Sequence, residues 1–348
     1  MHFRWNYEKP TPEQSQVAKE LAAKLCISPV LTSLLVKRGV TTECAAKRFF
    51  RPQLADLINP FVMKDMDIAV ERLNDAMGRK ERILVYGDYD VDGCTAVALV
   101  YKFLRQYYSN IDYYIPDRYD EGYGVSNRGI DYAKQTGVKL IIILDCGIKA
   151  IEEIAYAKSL GIDFIVCDHH MPDEQLPNAV AILNPKQDND PYPFKDLCGC
   201  GVGFKFMQAF AKNNGIPFSR LIPLLDFCAV SIAADLVPVV DENRILAFHG
   251  LKQLNQNPSI GLKAIIDTCG LTGRELSMSD IVFKIGPRIN ASGRMESGRE
   301  SVDLLVERDF GVALQEAKHL DLYNEQRKDV DRHMTEDANN IVARVDTP

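Results

Sequence analysis

The stretch Arg82–Val100 constrains this chain more than any other. It opens on an unbroken apolar run, Ile83-Leu84-Val85-Tyr86, with the length and composition of a strand buried on both faces. The run ends at Gly87, and carboxylates follow at alternate positions, Asp88, Asp90 and Asp92. Gly93 then gives the backbone room to turn, and Thr95 to Leu104 reads as an apolar helix. Strand, acidic turn and helix form the opening of a βαβ unit. In open α/β sheets the working residues lie just beyond the carboxyl ends of the strands. Acids packed this closely repel one another, so the turn calls for a cation or basic neighbours. A solvated acidic turn is the plain alternative. An EF-hand calcium loop is excluded, because no glutamate stands at its last liganding position and the flanks are strand and helix.

Two further stretches repeat the pattern. In Lys139–Ile148 an apolar strand ends in Asp145, followed by Gly147. In Asp163–His170 the strand Phe164–Cys167 is capped by Asp168, His169 and His170. Ile151 to Ser159 between them reads as a crossover helix, with Gly161 after its end. The expected fold is therefore α/β, a parallel sheet flanked by helices, with three strands delivering metal-type ligands from one edge. Carboxylates and imidazoles without a thiolate suit manganese or magnesium better than zinc. The acids and histidines exceed what one ion needs. A pair of ions about 3.5–4 Å apart, bridged by a carboxylate, is the usual arrangement for hydrolysing phosphate esters.

Composition sets the frame around this core. A chain of 348 residues suggests two domains or one large one. A net charge of -7 argues against a basic nucleic-acid coat while leaving room for a local basic groove. The nine cysteines follow no disulfide framework, and Cys146 and Cys167 fall in apolar strands, which points to a reducing cytoplasm. Cys198-Gly-Cys200 has no second Cys/His pair at zinc spacing. No apolar run approaches the ~20 residues of a membrane span, and the first residues are too polar for a signal peptide.

Residues 1–78 read as a helical region, with helices over Thr11–Leu25, Pro29–Lys37, Cys44–Phe50 and Asp65–Met77. Trp5 reads as a packing anchor. The run Gly199-x-Gly201-x-Gly203 follows a loop and lacks dinucleotide spacing, so nicotinamide and flavin binding are rejected. It either presents a helix N-terminus to a phosphate or serves helix packing. From Phe204 helices dominate, over Phe204–Ala211, Leu221–Ala234, Arg244–Leu254 and Ile260–Thr268. Phe310–Arg344 reads as one long charged helix that either connects domains or folds back on the core. The expected division is 1–78, a catalytic domain over 79–309, and a connecting helix over 310–348.

GDYDVDG at 87–93, LDCGI at 144–148 and CDHH at 167–170 together resemble the DHH phosphoesterase superfamily, and within it the RecJ single-strand-specific exonucleases. PDRYDEGYGVS (116–126), NPK (184–186), LCGCGVGFKF (197–206), IAADLVPVVDENR (232–244) and KIGPRINASGRM (284–295) agree with that resemblance, which runs from about residue 20 onward. It implies that Asp90 and Asp92 each hold one metal ion, that Asp145 bridges both, and that His169 and Asp235 complete the ligands. His170 falls where the family places a transition-state stabiliser or acid, and Asp88 and Asp168 would orient ligands and fix histidine tautomers. It also implies that Arg288, Asn290, Ser292 and Arg294 line the groove for the nucleic-acid backbone, with Arg118 and Tyr123-Gly124 as weaker candidates. A basic loop holding a structural arginine is the alternative for 286–294.

The resemblance implies a manganese-dependent 5′–3′ exonuclease on single-stranded DNA, with two ions and magnesium as the alternative metal. It would act in repair and recombination beside single-strand-binding or repair proteins. A phosphodiesterase for short oligonucleotides or cyclic dinucleotides, and a non-catalytic scaffold, are the alternatives. The family's full nuclease has a second domain beyond the long helix; its Gly-Gly-Gly-His motif has no counterpart here.

Overall fold

A computed structural model describes Arg4, residues 8–295 and residues 297–344, without the side chains of 294–295 and 343–344. Trp5 lies outside the described residues. The chain divides into two compact units, Met1–Leu57 and Ile58–Pro348.

The first unit carries α1 (Pro12–Leu25), α2 (Pro29–Lys37) and α3 (Glu43–Phe50). Their starts are set locally. Thr11 and Gln14 form a capping box before α1, and Ser28 and Thr42 cap α2 and α3 with their hydroxyls. Ala18, Leu21 and Val36 form a small core between α1 and α2.

The second unit begins well before residue 79, and the reason is packing. Helix α4 (Met66–Gly78) buries Met66, Ala69, Val70, Leu73 and Ala76. These residues pack against the main sheet, and Asp65 accepts a hydrogen bond from the backbone of Ile182 at its edge.

The sheet has five parallel strands, β1 (Arg82–Gly87), β2 (Ile111–Tyr114), β3 (Val138–Leu144), β4 (Asp163–Cys167) and β5 (Ala181–Leu183), in the order β2-β1-β3-β4-β5. The sequence reading found β1, β3 and β4; the four-residue β2 and three-residue β5 are edge strands too short to show a pattern. Between strands run α5 (Val91–Leu104), α6 (Asn127–Gln135) and α7 (Ile151–Ser159), and α8 (Gly199–Asn213) follows β5. Leu84, Tyr86, Ile141, Ile143, Phe164 and Val166 form one buried face with residues of α6 and α7. The alternate residues Ile83, Val85, Leu140 and Ile142 are equally buried, on the opposite face by the two-residue period of a strand. Helices α4, α5 and α8 pack against the sheet there.

The remaining helices are α9 (Leu225–Ala234), α10 (Asp241–Gln256), α11 (Ile260–Thr268), the short α12 (Met278–Asp280), α13 (Gly286–Met295), α14 (Gly298–Val306) and α15 (Phe310–Arg344). A π-helical turn over Ile281–Ile285 joins α12 to α13. The long helix folds back on the core only over its first turns. Its first turns bury Ala313, Ala317, Leu320 and Asn324 and pack against α11 and α13. Residues 331–342 are exposed on every side. No helix among the described residues is long and apolar enough to cross a membrane.

Candidate metal centre

Sheet register places the site. Gly87 pairs with Leu144, and Leu144 with Cys167. The next residue of each strand is Asp88, Asp145 and Asp168, so three carboxylates leave three adjacent strands in one row. The chain steps from β1 to β2 on one side and to β3 on the other, which makes β1/β3 the topological switch point where such sheets bind ligands.

Helix α5 begins at Val91, four residues before the expected Thr95, because Asp90 caps it by accepting from the Gly93 amide at 2.9 Å. Asp92 thus lies in its first turn, only 1% exposed. Three donors fix that carboxylate: the Gly199 amide at 2.6 Å, the Cys200 amide at 2.7 Å and the Ser231 hydroxyl at 2.7 Å. The glycine-rich run therefore starts α8 at Gly199, and its N-terminus is occupied by a side chain of the chain itself. A Cβ on Gly199 would lie 2.6 Å from the Asp145 Cβ and Oδ1, and one on Gly203 would lie 3.0 Å from Leu144. The run is a close-approach device between α8 and the strand ends. Gly199→Ala must push Asp145 aside, so we expect a loss of about 1–3 kcal/mol on urea unfolding and weaker metal-induced stabilisation in a thermal scan.

Asp168 organises the histidines. Its Oδ1 accepts from the His169 and His170 amides at 2.7 and 3.0 Å and from His170 Nδ1 at 2.8 Å. Its Oδ2 accepts from the Ile148 amide at 2.9 Å. Burial raises the Asp168 pKa, but the His170 bonds outweigh it and the group ends below its ordinary value. The same bond raises the His170 pKa. His170 Nε2 stands 3.5 Å from the Tyr123 hydroxyl, and Asn184 donates to the His170 carbonyl at 2.9 Å.

His169 faces the acids. Its Nε2 lies 3.1 Å from Asp145 Oδ1, 3.6 Å from Asp235 Oδ2 and 3.8 Å from Asp92 Oδ2. Yet His169 Nε2, Asp145 Oδ1 and Asp235 Oδ2 are buried without a hydrogen-bond partner, as is Asp88 Oδ1. Burial, then repulsion from Asp92 and Asp90, raises the pKa of Asp145 strongly. The same causes raise Asp235 to about 7, and burial with Asp90 raises Asp88 to about 7. Burial lowers His169. Buried, unpaired and mutually repelling ligand atoms are what a cation would resolve. Asp92, His169 and Asp235 form one group of potential ligands, and Asp145, His169 and His170 another, with the atoms of each within 4.8 Å of one another. The oxygen and imidazole donors fit manganese or magnesium.

Two of the expected groove residues, Arg288 and Ser292, are engaged within the chain itself. The stretch 286–295 is helix rather than loop, and a Cβ on its Gly293 would lie 2.7 Å from the Tyr89 carbonyl, directly against the acidic turn. Arg288 pairs with Asp321 at 2.7 Å and donates to the Lys284 carbonyl at 2.8 Å. Asn290 is half-buried. Ser292 is a correction: it is fully buried, with its hydroxyl 2.6 Å from that of Ser301, so it holds α13 to α14 and faces no groove. The side chain of Arg294 lies outside the described residues. Sequence reasoning missed Ser231. Its signal was a hydroxyl in an apolar helix four residues before Asp235, hence on the same face.

Parallel sheet, switch-point position and an oxygen–imidazole cluster define a metal-site α/β domain. Residues 82–232 match the family model for the DHH family, N-terminal domain. Likeness to known proteins reaches further along the chain. The chain is 40% identical over 340 residues to the single-stranded-DNA-specific exonuclease RecJ of Bacillus subtilis, covering 98% of this chain and 42% of that protein. It is 36% identical over 324 residues to RecJ of Escherichia coli, covering 90% of this chain and 55% of that one. It thus spans about half the length of these curated relatives. A crystal structure of exonuclease RecJ bound to manganese superposes with a TM-score of 0.74 at 29% identity, over 82% of this chain and 71% of that one. RecJ of Thermus thermophilus in complex with manganese gives 0.80 at 25% identity, over 95% and 46%.

Proposed function

We propose that this chain is the metal-bearing part of a phosphodiesterase that removes nucleotides from the 5′ end of single-stranded DNA, using two manganese ions or, alternatively, magnesium. One observation carries the reading: buried, unpartnered oxygens of Asp145 and Asp235 crowd an unpartnered imidazole nitrogen of His169. The RecJ relatives' single-stranded-DNA specificity supports the substrate class. Motif resemblance supports the polarity and a role in repair and recombination beside single-strand-binding or repair proteins, and the free buried Cys146 and Cys167 support a reducing, cytoplasmic setting.

Asp92, Asp145, His169 and Asp235 would hold the ions, with Asp90 beside them. Bound divalent cations cancel the carboxylate charge and polarise a phosphodiester. The chain's own groups do the rest. Asp92 is immobilised by two amides and a hydroxyl, so it presents a fixed oxygen. Asp145 is held at its backbone, where its N–H donates to the Cys167 carbonyl at 2.9 Å. Asp168 beside His170 Nδ1 raises the pKa of that imidazole, which favours a proton at Nε2 for a phosphate or leaving-group oxygen.

The test is hydrolysis of single-stranded oligonucleotides labelled at either end, with thermal unfolding of the same protein. Manganese at about 100 times its Kd should stabilise by about 2.7 kcal/mol, and a chelator should reverse it. Release of 5′ mononucleotides that requires the metal supports the proposal. Degradation from the 3′ end overturns the polarity. Absence of both cleavage and metal stabilisation overturns the reading.

A further inference from the structure

Seven non-glycine residues among those described have positive φ, and four of them are aspartate or asparagine, which tolerate that region. Leu236 does not belong with these. It stands at φ +57, one residue past the C-cap of α9. Helices often end this way, but with a glycine or asparagine, whose backbone reaches it easily. Leu236 is also the most exposed large hydrophobic residue described, at 85%. The position therefore carries a strained backbone and an uncovered side chain at once. Glycine would remove both liabilities, so neither the helix end nor the core accounts for leucine.

Its location does. The preceding residue is Asp235, whose carboxylate faces His169. Val239 and Val240, about two-fifths exposed, continue an apolar lip from it. A phosphate is drawn to the cation-holding cluster. What an apolar neighbour can then meet is the uncharged part of the same nucleotide, the deoxyribose and the face of the base.

We infer that Leu236 is a positioning residue that packs against the sugar or base next to the phosphate under attack. This rests on the nuclease reading above.

The experiment compares Leu236→Gly, Leu236→Asn and Leu236→Met with the parent on a single-stranded oligonucleotide with manganese. The Gly and Asn variants, which accept the backbone, should unfold no earlier than the parent and keep its manganese-induced shift. Their KM should rise about tenfold with kcat changed by less than about twofold. Met, which keeps the apolar volume, should restore the parental KM. Parental KM in Gly and Asn overturns the inference, as does a Met variant that behaves like Gly. A changed sedimentation of the variants at parental KM would also overturn it and assign the lip to a protein partner. A parent that neither binds nor cleaves the oligonucleotide overturns the proposed function and this contact together, and is seen before any variant is made.

Discussion

Asp145→Asn should make the metal-free protein more stable while removing its response to manganese. Burial, then repulsion from Asp92, Asp90, Asp168 and Asp235, raises the Asp145 pKa strongly. Asparagine is nearly isosteric and tolerates the left-handed backbone at φ +61, so the turn survives. It removes one charge from a cluster that repels itself. The sign with pH follows. Carboxyls raised in the folded state keep their protons there longer than in the unfolded chain, so they favour folding at low pH. That contribution is lost as pH rises through their folded values, about 7 for Asp235 and Asp88. Metal-free parent should therefore lose stability between about pH 5 and pH 8, and the variant should lose less. Manganese should raise the parent's melting temperature more at pH 8 than at pH 5.5, and the variant's hardly at all. Hydrolysis should fall at least about a hundredfold, the upper loss seen when even a ligand's supporting partner is removed. Thermal scans over pH with and without manganese read all of this. A variant less stable than the parent at pH 8 without metal would show that the acids are neutralised by something other than a cation.

The site's strand-borne half was legible because it is encoded locally. An apolar run ending in an acid already says that the acid leaves the carboxyl end of a buried strand, and three such runs share one sheet. Asp88, Asp145, Asp168, His169 and His170 were found this way. Asp235 was not, since Ala-Asp-Leu carries no local signal, and only family resemblance singled it out. Ser231 and the Gly199 and Cys200 amides reach Asp92 from more than a hundred residues away, and no short-range pattern records such a meeting. The start of α5 was misplaced for a nearby reason. Asp90 read as a ligand alone, whereas its side chain also caps the helix and draws Asp92 into the first turn. The expected domain boundary at 78 followed helix content, while the compact unit follows which face of α4 is buried.

Lys205→Met should be the most destabilising of the single substitutions proposed, by about 3–5 kcal/mol, because it leaves a charge buried without its partner. Lys205 lies on α8, fully buried, and its ammonium donates to Glu242 at 3.0 Å and to the Ile58 carbonyl at 2.5 Å. Burial lowers its pKa against the pull of Glu242. The other Glu242 contacts are the Ile58 amide at 2.9 Å and the Tyr192 hydroxyl. These contacts join the start of α10 to α8 and to the segment before α4. Methionine fills the volume but donates nothing, so the buried Glu242 carboxylate loses its counter-charge and the Ile58 carbonyl loses its ammonium donor. Glu242→Gln keeps an acceptor oxygen for the Ile58 amide and turns its NH2 toward the Tyr192 hydroxyl oxygen, so it should cost less. The double variant Lys205→Met/Glu242→Gln removes both charges and should recover a large part of the loss, as buried ion pairs replaced together often do. Urea unfolding of the four proteins of this cycle measures the coupling. Additive losses would mean that the two charges do not sense each other. Strong coupling would show that the helix whose first amides hold Asp92 is fixed to the fold by a buried ion pair six residues further along.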